Sequence, residues 1–128
     1  MKSNVTAGPA AHLSQGHKSE RQAGKYLMRQ GLKLLQRNYR TRFGEIDLIM
    51  QQKETLVFVE VRFRRSNDFG TPAETVNLRK QAKLRAVAEH YLQRNKDKAQ
   101  QACRFDIVAI TANQNGETFQ WLQNAFGI

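Results

Sequence analysis

The sequence predicts an α/β protein with a mixed central β-sheet flanked by helices, in the order α-β-β-β-α-β-β. Three observations carry that expectation. Two strand-like runs, EIDLIM at residues 45–50 and LVFVEVRF at residues 56–63, are separated only by a short polar link, the pattern of a β-hairpin. A long segment of helical periodicity follows, from Thr75 to Arg94. A third apolar run, FDIVAI at residues 105–110, then leads to Asn115-Gly116, a type I′ turn signal, and a last strand over residues 118–122.

Residues 1–18 are polar and rich in small side chains, with Gly8-Pro9 and Gly16 as breakers, and are expected to form a flexible arm ahead of one domain spanning residues 19–128. Ser19, with Gln22 three residues on, resembles a capping box. Glu20, Ala23, Gly24 and Leu27 then share a helical face until Gly31 stops the helix. Residues 32–38 read as an edge strand, and the basic stretch Arg37 to Arg42 leads out of it. In LVFVEVRF, Val57, Val59, Val61 and Phe63 take one face while Leu56, Phe58, Glu60 and Arg62 take the other. Both faces look buried, so this strand should be central. The long helix offers Leu78, Ala82, Val87, Ala88, Tyr91 and Leu92 to the core and keeps a basic opposite side. Trp121 is expected in the core.

A chain of 128 residues buries about two-thirds of its unfolded surface in one core, so a second domain is not expected. The long apolar run of a membrane helix and the apolar segment of a secretory signal are both missing from the sequence, which makes a cytoplasmic protein without membrane contact the default. A lone Cys103 and three scattered histidines argue against a disulfide framework and a structural zinc. Lysine and arginine total 21 against 11 acids, a formal charge of +10, which favours polyanionic partners and nucleic acid first among them. Arg40, Arg42, Arg64, Arg65, Arg79 and Lys83 are the expected phosphate contacts. Tyr39 and Phe43, set among arginines, either stack on bases or pack against the sheet.

Four acids stand where globular proteins seldom place them without a partner: Glu45 and Asp47 in one apolar strand, Glu60 in the most apolar strand, and Glu20 on the apolar stripe of the first helix. A two-residue loop at Lys53-Glu54 sets Asp47 opposite Glu60, with Cβ atoms about 5 Å apart. That spacing suits one hard divalent ion, Mg²⁺ or Mn²⁺, completed by water and a substrate phosphate. The alternative is an ion-pair network in which Arg62, Arg64 or Lys80 neutralises the acids. Asp106 is expected to be structural, paired with Arg104 or a helix terminus, and Glu89 and His90 to lie on a solvated helix face.

The motifs Glu45-Ile46-Asp47-Leu48-Ile49, Val57-Phe58-Val59-Glu60-Val61-Arg62, Arg79-Lys80 and Arg104-Phe105-Asp106-Ile107-Val108 occur in the order found in the YraN family of small bacterial proteins, which this chain resembles over residues 18–110. That family resembles a branch of the PD-(D/E)xK nuclease superfamily near the Holliday-junction resolvases. The resemblance implies a restriction-endonuclease-like core, and implies Asp47, Glu60 and Glu20 as metal ligands with Glu45 behind them. Arg62 stands where the superfamily pattern has a lysine that orients the attacking water, and a guanidinium is a poor proton carrier. Arg62 would then stabilise phosphate charge, or Lys80 would reach the site from the following helix. Two functions are therefore expected side by side: a metal-dependent endonuclease acting on DNA, branched DNA above all, or a catalytically silent DNA- or RNA-binding or partner-recruiting module on the same fold. A resolvase-like activity would call for a homodimer.

Overall fold

The computed structural model describes residues 14–66, 68 and 70–127. Five strands form one sheet in the order β1-β2-β3-β4-β5: Lys33–Thr41, Gly44–Gln52, Thr55–Arg65, Ala102–Asn113 and Gly116–Phe126. Every neighbouring pair is antiparallel except β3 and β4, which run parallel because helix α2, Leu78–Arg94, carries the chain across the sheet between them. Helix α1, Gln15–Arg29, precedes β1. The expected element order and the central position of LVFVEVRF both hold.

Two apolar clusters lie on opposite faces of the sheet. Ala23 and Leu27 of α1 cover Leu48, Met50, Val57, Val59, Val108 and Ile110. On the other face Leu84, Val87, Ala88 and Tyr91 of α2 cover Ile46, Ile49, Leu56, Phe58, Phe105 and Ile107. The two-fold alternation of β3 feeds both clusters, which is why it reads as almost continuously apolar. No helix among the described residues is long and apolar enough to cross a membrane.

Several boundaries differ from the sequence reading, each for a local reason. Helix α1 begins at Gln15, so residues 15–18 belong to it; residues 1–13 of the expected arm lie outside the described residues. Ser14 is its cap, accepting from the His17 backbone N–H at 3.2 Å, while Ser19 is buried inside the helix and accepts from Gln15 Nε2. Gly31 does stop the helix: with φ +98° it lets the Leu32 N–H reach back to the Leu27 carbonyl. Strand β1 continues through the basic stretch to Thr41 instead of ending at Asn38. Helix α2 starts at Leu78, capped by Asn77, after a 3₁₀ turn over Ala73–Thr75. At its first position Leu78 projects beyond the sheet and is 79% exposed; Ala82 is also exposed, and Val76 and Leu84 take up the core positions. In the last hairpin it is Gly116, at φ +117°, and not Asn115 that adopts the positive φ, so the turn is not the type I′ expected.

The buried Asp106 is structural, as expected. It pairs with Arg104 at 2.9 Å and accepts from Trp121 Nε1 and the Asn124 N–H, both at 2.9 Å. These contacts sit at a register shift between β4 and β5, where the carboxylate replaces missing ladder partners. Trp121 is thus only half-buried, one edge held to Asp106.

Candidate metal centre and its surroundings

The site arises where the β2–β3 ladder ends. Gln52 pairs with Thr55 across the two-residue loop Lys53-Glu54, with Lys53 in the left-handed region at φ 53°, and the ladder runs from there to Leu48–Val59. The next position in that register is Asp47 with Glu60. There the Val61 N–H is taken by Asp47 Oδ2 at 2.8 Å.

Strand β2 also changes face at this point. Ile46 packs under α2 while Leu48, two residues on, packs under α1, although residues two apart on a regular strand share a face. Strand β1 follows: Tyr39, registered with Ile46, packs against Tyr91, whereas the Arg37 guanidinium lies beside Gly24 of α1. Between these pairs sit Asp47 on β2 and Asn38 on β1, the latter at φ 50°, a left-handed conformation asparagine tolerates well. The reversal opens the sheet edge to side chains from both helices.

Into that opening come the acids. Oxygen atoms of Glu20, Glu45 and Asp47 lie within 4.8 Å of one another. Asn38 Nδ2 donates to Glu20 Oε1 at 2.7 Å and to Glu45 Oε2 at 2.6 Å, clamping two of the three. Arg40 closes the outer side with Nε 3.2 Å from Glu45 Oε1. Glu60, 5% exposed, stands on the other flank with Arg62 at 3.3 Å and Lys80 at 3.7 Å from its Oε2. Its Oε1 has no hydrogen-bond partner, and neither does the buried Nε of Arg62.

Burial, then the charge of Glu60, then that of Glu20 push the Asp47 carboxyl up to about 8, against the Val61 N–H that favours its ionised form. Glu60 is also raised, chiefly by burial, with Lys80 and Arg62 opposing. Two acids facing each other at the end of a ladder are thus both held above the usual carboxylate range.

Of the residues expected from the sequence, Glu20, Asp47, Glu60, Arg62 and Lys80 do converge, and Lys80 reaches Glu60 from the following helix. The tight group of three includes Glu45, expected behind the ligands, and leaves Glu60 beside it. Asn38 was missed: an asparagine in a basic strand carries no signal of two carboxylates converging on it from Glu20 and Glu45. Arg79 and Lys83 are exposed on the first turns of α2, while Arg64 donates to the Asp68 carbonyl and Arg65 lies over Phe63. His90, expected on a solvated face, is hydrogen-bonded to the Tyr39 hydroxyl at 2.6 Å. Tyr39 therefore packs, and Phe43, 42% exposed, does not.

Fold and site together define a basic α/β protein with a carboxylate cluster at the open end of its central hairpin. The chain belongs to uncharacterised protein family UPF0102, whose model matches residues 19–110. It is similar to UPF0102 proteins of Nitrosococcus oceani, 47% identical over 94% of this chain and 97% of the relative, and of Saccharophagus degradans, 50% identical over 91% and 96%. A UPF0102 protein of Psychromonas ingrahamii is 49% identical over 91% of this chain and 92% of its own.

Proposed function

We propose that the protein is a divalent-metal-dependent endonuclease acting on DNA phosphodiesters. The observation that carries this reading is the convergence of Glu20, Glu45 and Asp47 oxygens within 4.8 Å, beside a buried Glu60 oxygen that has no hydrogen-bond partner. An all-oxygen, acid-rich donor set fits Mg²⁺ or Mn²⁺ and not the softer metals. Glu20, Asp47 and Glu60 would hold the ion, with Glu45 adding a further oxygen. Bound there, it would supply charge neutralisation at the phosphate and a lowered pKa for a bound water.

The remaining chemistry belongs to the chain. Asn38 fixes the spacing of Glu20 and Glu45, so that the acids need no rearrangement to act together. Lys80 and Arg62 bring two positive charges to Glu60, and the free Arg62 Nε is a donor ready for a non-bridging phosphate oxygen as charge grows there. With arginine at the motif's lysine position, Lys80 is the ammonium that orients the attacking water. A symmetric branched substrate would recruit two copies of the chain, as a homodimer.

One observation favours a second reading. Lys80 and Arg62 both close on Glu60, which is how a silent nucleic-acid-binding module would neutralise an inherited acid. A cleavage and gel-shift panel on single-stranded, duplex, flapped and four-way-junction DNA with Mg²⁺, Mn²⁺ or EDTA separates the two. Metal-dependent cutting lost in Asp47→Ala and Glu60→Ala, and reduced by about 100-fold in Lys80→Ala, is the expected result. Binding without cutting in any metal assigns the silent module instead.

A further inference from the structure

An open groove of about 650 Å³ runs between the tip of the β1–β2 hairpin and α2, reached from the carboxylates through Arg40. Arg40, Arg42 and Phe43 form one wall, and Glu89, His90 and Gln93 line the helix side. Phe43 has no evident folding role. It occupies a two-residue turn between the paired Thr41 and Gly44, and it belongs to neither apolar cluster. The turn is nevertheless held firmly: Thr41 Oγ1 accepts from the Phe43 N–H at 3.0 Å and donates to the Gly44 carbonyl at 3.4 Å. The Arg42 guanidinium lies over the ring, 5.0 Å from its centroid, while Phe43 stays 42% exposed, so the ring is presented with a cation against one face. Arg40, the groove's other cation, is the residue bonded to Glu45, and so joins the groove to the acidic cluster.

We propose that this groove takes an unpaired nucleobase, stacked on Phe43, and thereby makes DNA with single-stranded nucleotides next to the cleavage point the preferred substrate. This rests on the nucleic-acid reading of the neighbouring carboxylates and supplies its substrate class. A base inside a duplex has both faces covered by its neighbours, so an aromatic platform selects bases that are free of them. Arg42 and Arg40 then meet the flanking phosphates, the latter leading the strand toward Glu45. The Glu89 carboxylate, accepting from Gln93 at 3.3 Å, and the Gln93 amide then meet the base edge. A net charge of +10 favours this occupant over a protein segment of ordinary composition.

The test is a binding titration in EDTA, with a single-stranded oligodeoxynucleotide and its blunt duplex, on the wild type and on Phe43→Ala, Phe43→Leu and Phe43→Trp. The wild type is expected to prefer the unpaired probe, and that preference should fall about 5- to 100-fold in Phe43→Ala. Phe43→Leu, which keeps apolar bulk without a π face, should behave like alanine. Phe43→Trp should restore the preference, and its indole emission should drop on binding beyond the change in the wild type, whose one tryptophan is Trp121. A preference that survives in Phe43→Ala, or affinity for both probes lost in equal proportion, overturns the inference, as does a wild type that binds neither probe. Cleavage by the wild type, assayed separately with Mg²⁺ or Mn²⁺, distinguishes the two readings. Stacking without cleavage removes the nuclease and leaves the groove, whereas cleavage without a Phe43-dependent preference does the reverse.

Discussion

A carboxyl that keeps its proton to about pH 8 makes the Asp47 position sensitive to both acid and metal. In the unfolded chain the same group ionises near pH 4, at the ordinary aspartate value. Between those limits the folded state holds a proton the unfolded state has lost, so the Asp47 contribution falls as pH rises. Asp47→Asn keeps the shape without the charge. Its Tm should exceed that of the wild type by about 5 °C or more at pH 8, and the two should converge near pH 4 in thermal melts without metal. Millimolar Mg²⁺ at pH 8 should raise the Tm of the wild type and leave that of the variant unmoved. Asn38 is the second residue whose replacement is informative. Asn38→Ala loses two hydrogen bonds to carboxylates and asparagine's tolerance of the left-handed backbone, at a cost of about 2–3 kcal/mol by urea denaturation. Asn38→Gly, free of the backbone strain, should lose roughly 1 kcal/mol less.

Regular elements were legible from their periods, and the site only where those periods hold. The opposition of Asp47 and Glu60 is read from a two-residue loop and strict alternation, and the register follows that reading as far as Leu48–Val59, one pair short of the acids. Alternation then fails. Ile46 and Leu48 pack on opposite faces, and nothing in a six-residue apolar run announces that break. Leu78 misled for a different reason: it lies on the apolar stripe of α2, but a stripe says nothing of where the sheet beneath it stops. His90 acquires its partner from β1, 51 positions away, which local pattern cannot reach. At this scale the break in the ladder is itself testable. The Val61 amide is protected by a side chain, not by a neighbouring strand, so in Asp47→Ala it should exchange with solvent at least about 10-fold faster while the amides of the Leu48–Val59 ladder keep their protection.

Across the whole molecule, helix α1 spans the α1 face of the sheet from one edge to the other. Glu20 meets Asn38 on β1, while Gln22 donates to Glu117 and Tyr26 stacks on Phe119 at 5.1 Å, both on β5. On the opposite face Arg85 of α2 donates to the Gly127 carbonyl. The site is thus carried by a frame tied at both edges, with cations on its rim. If DNA is the partner, log affinity should fall linearly with log salt, and Arg42→Ala should lower the slope by about 1 in titrations at several NaCl concentrations. The single parallel pairing in the sheet bears on how this frame is built. The strands β1, β2 and β3 are joined by two-residue turns and can meet quickly, but β3 and β4 can join only after the whole segment from Ser66 to Gln101 has closed on itself. Asp47 and Glu60 lie in the hairpin-joined part and Lys80 in the crossover, so refolding is expected to bring the acids together before one of their counter-charges arrives. Two like charges meeting ahead of the closing crossover should slow folding as pH rises through the ordinary carboxylate range, an outcome that refolding rates measured across pH would show.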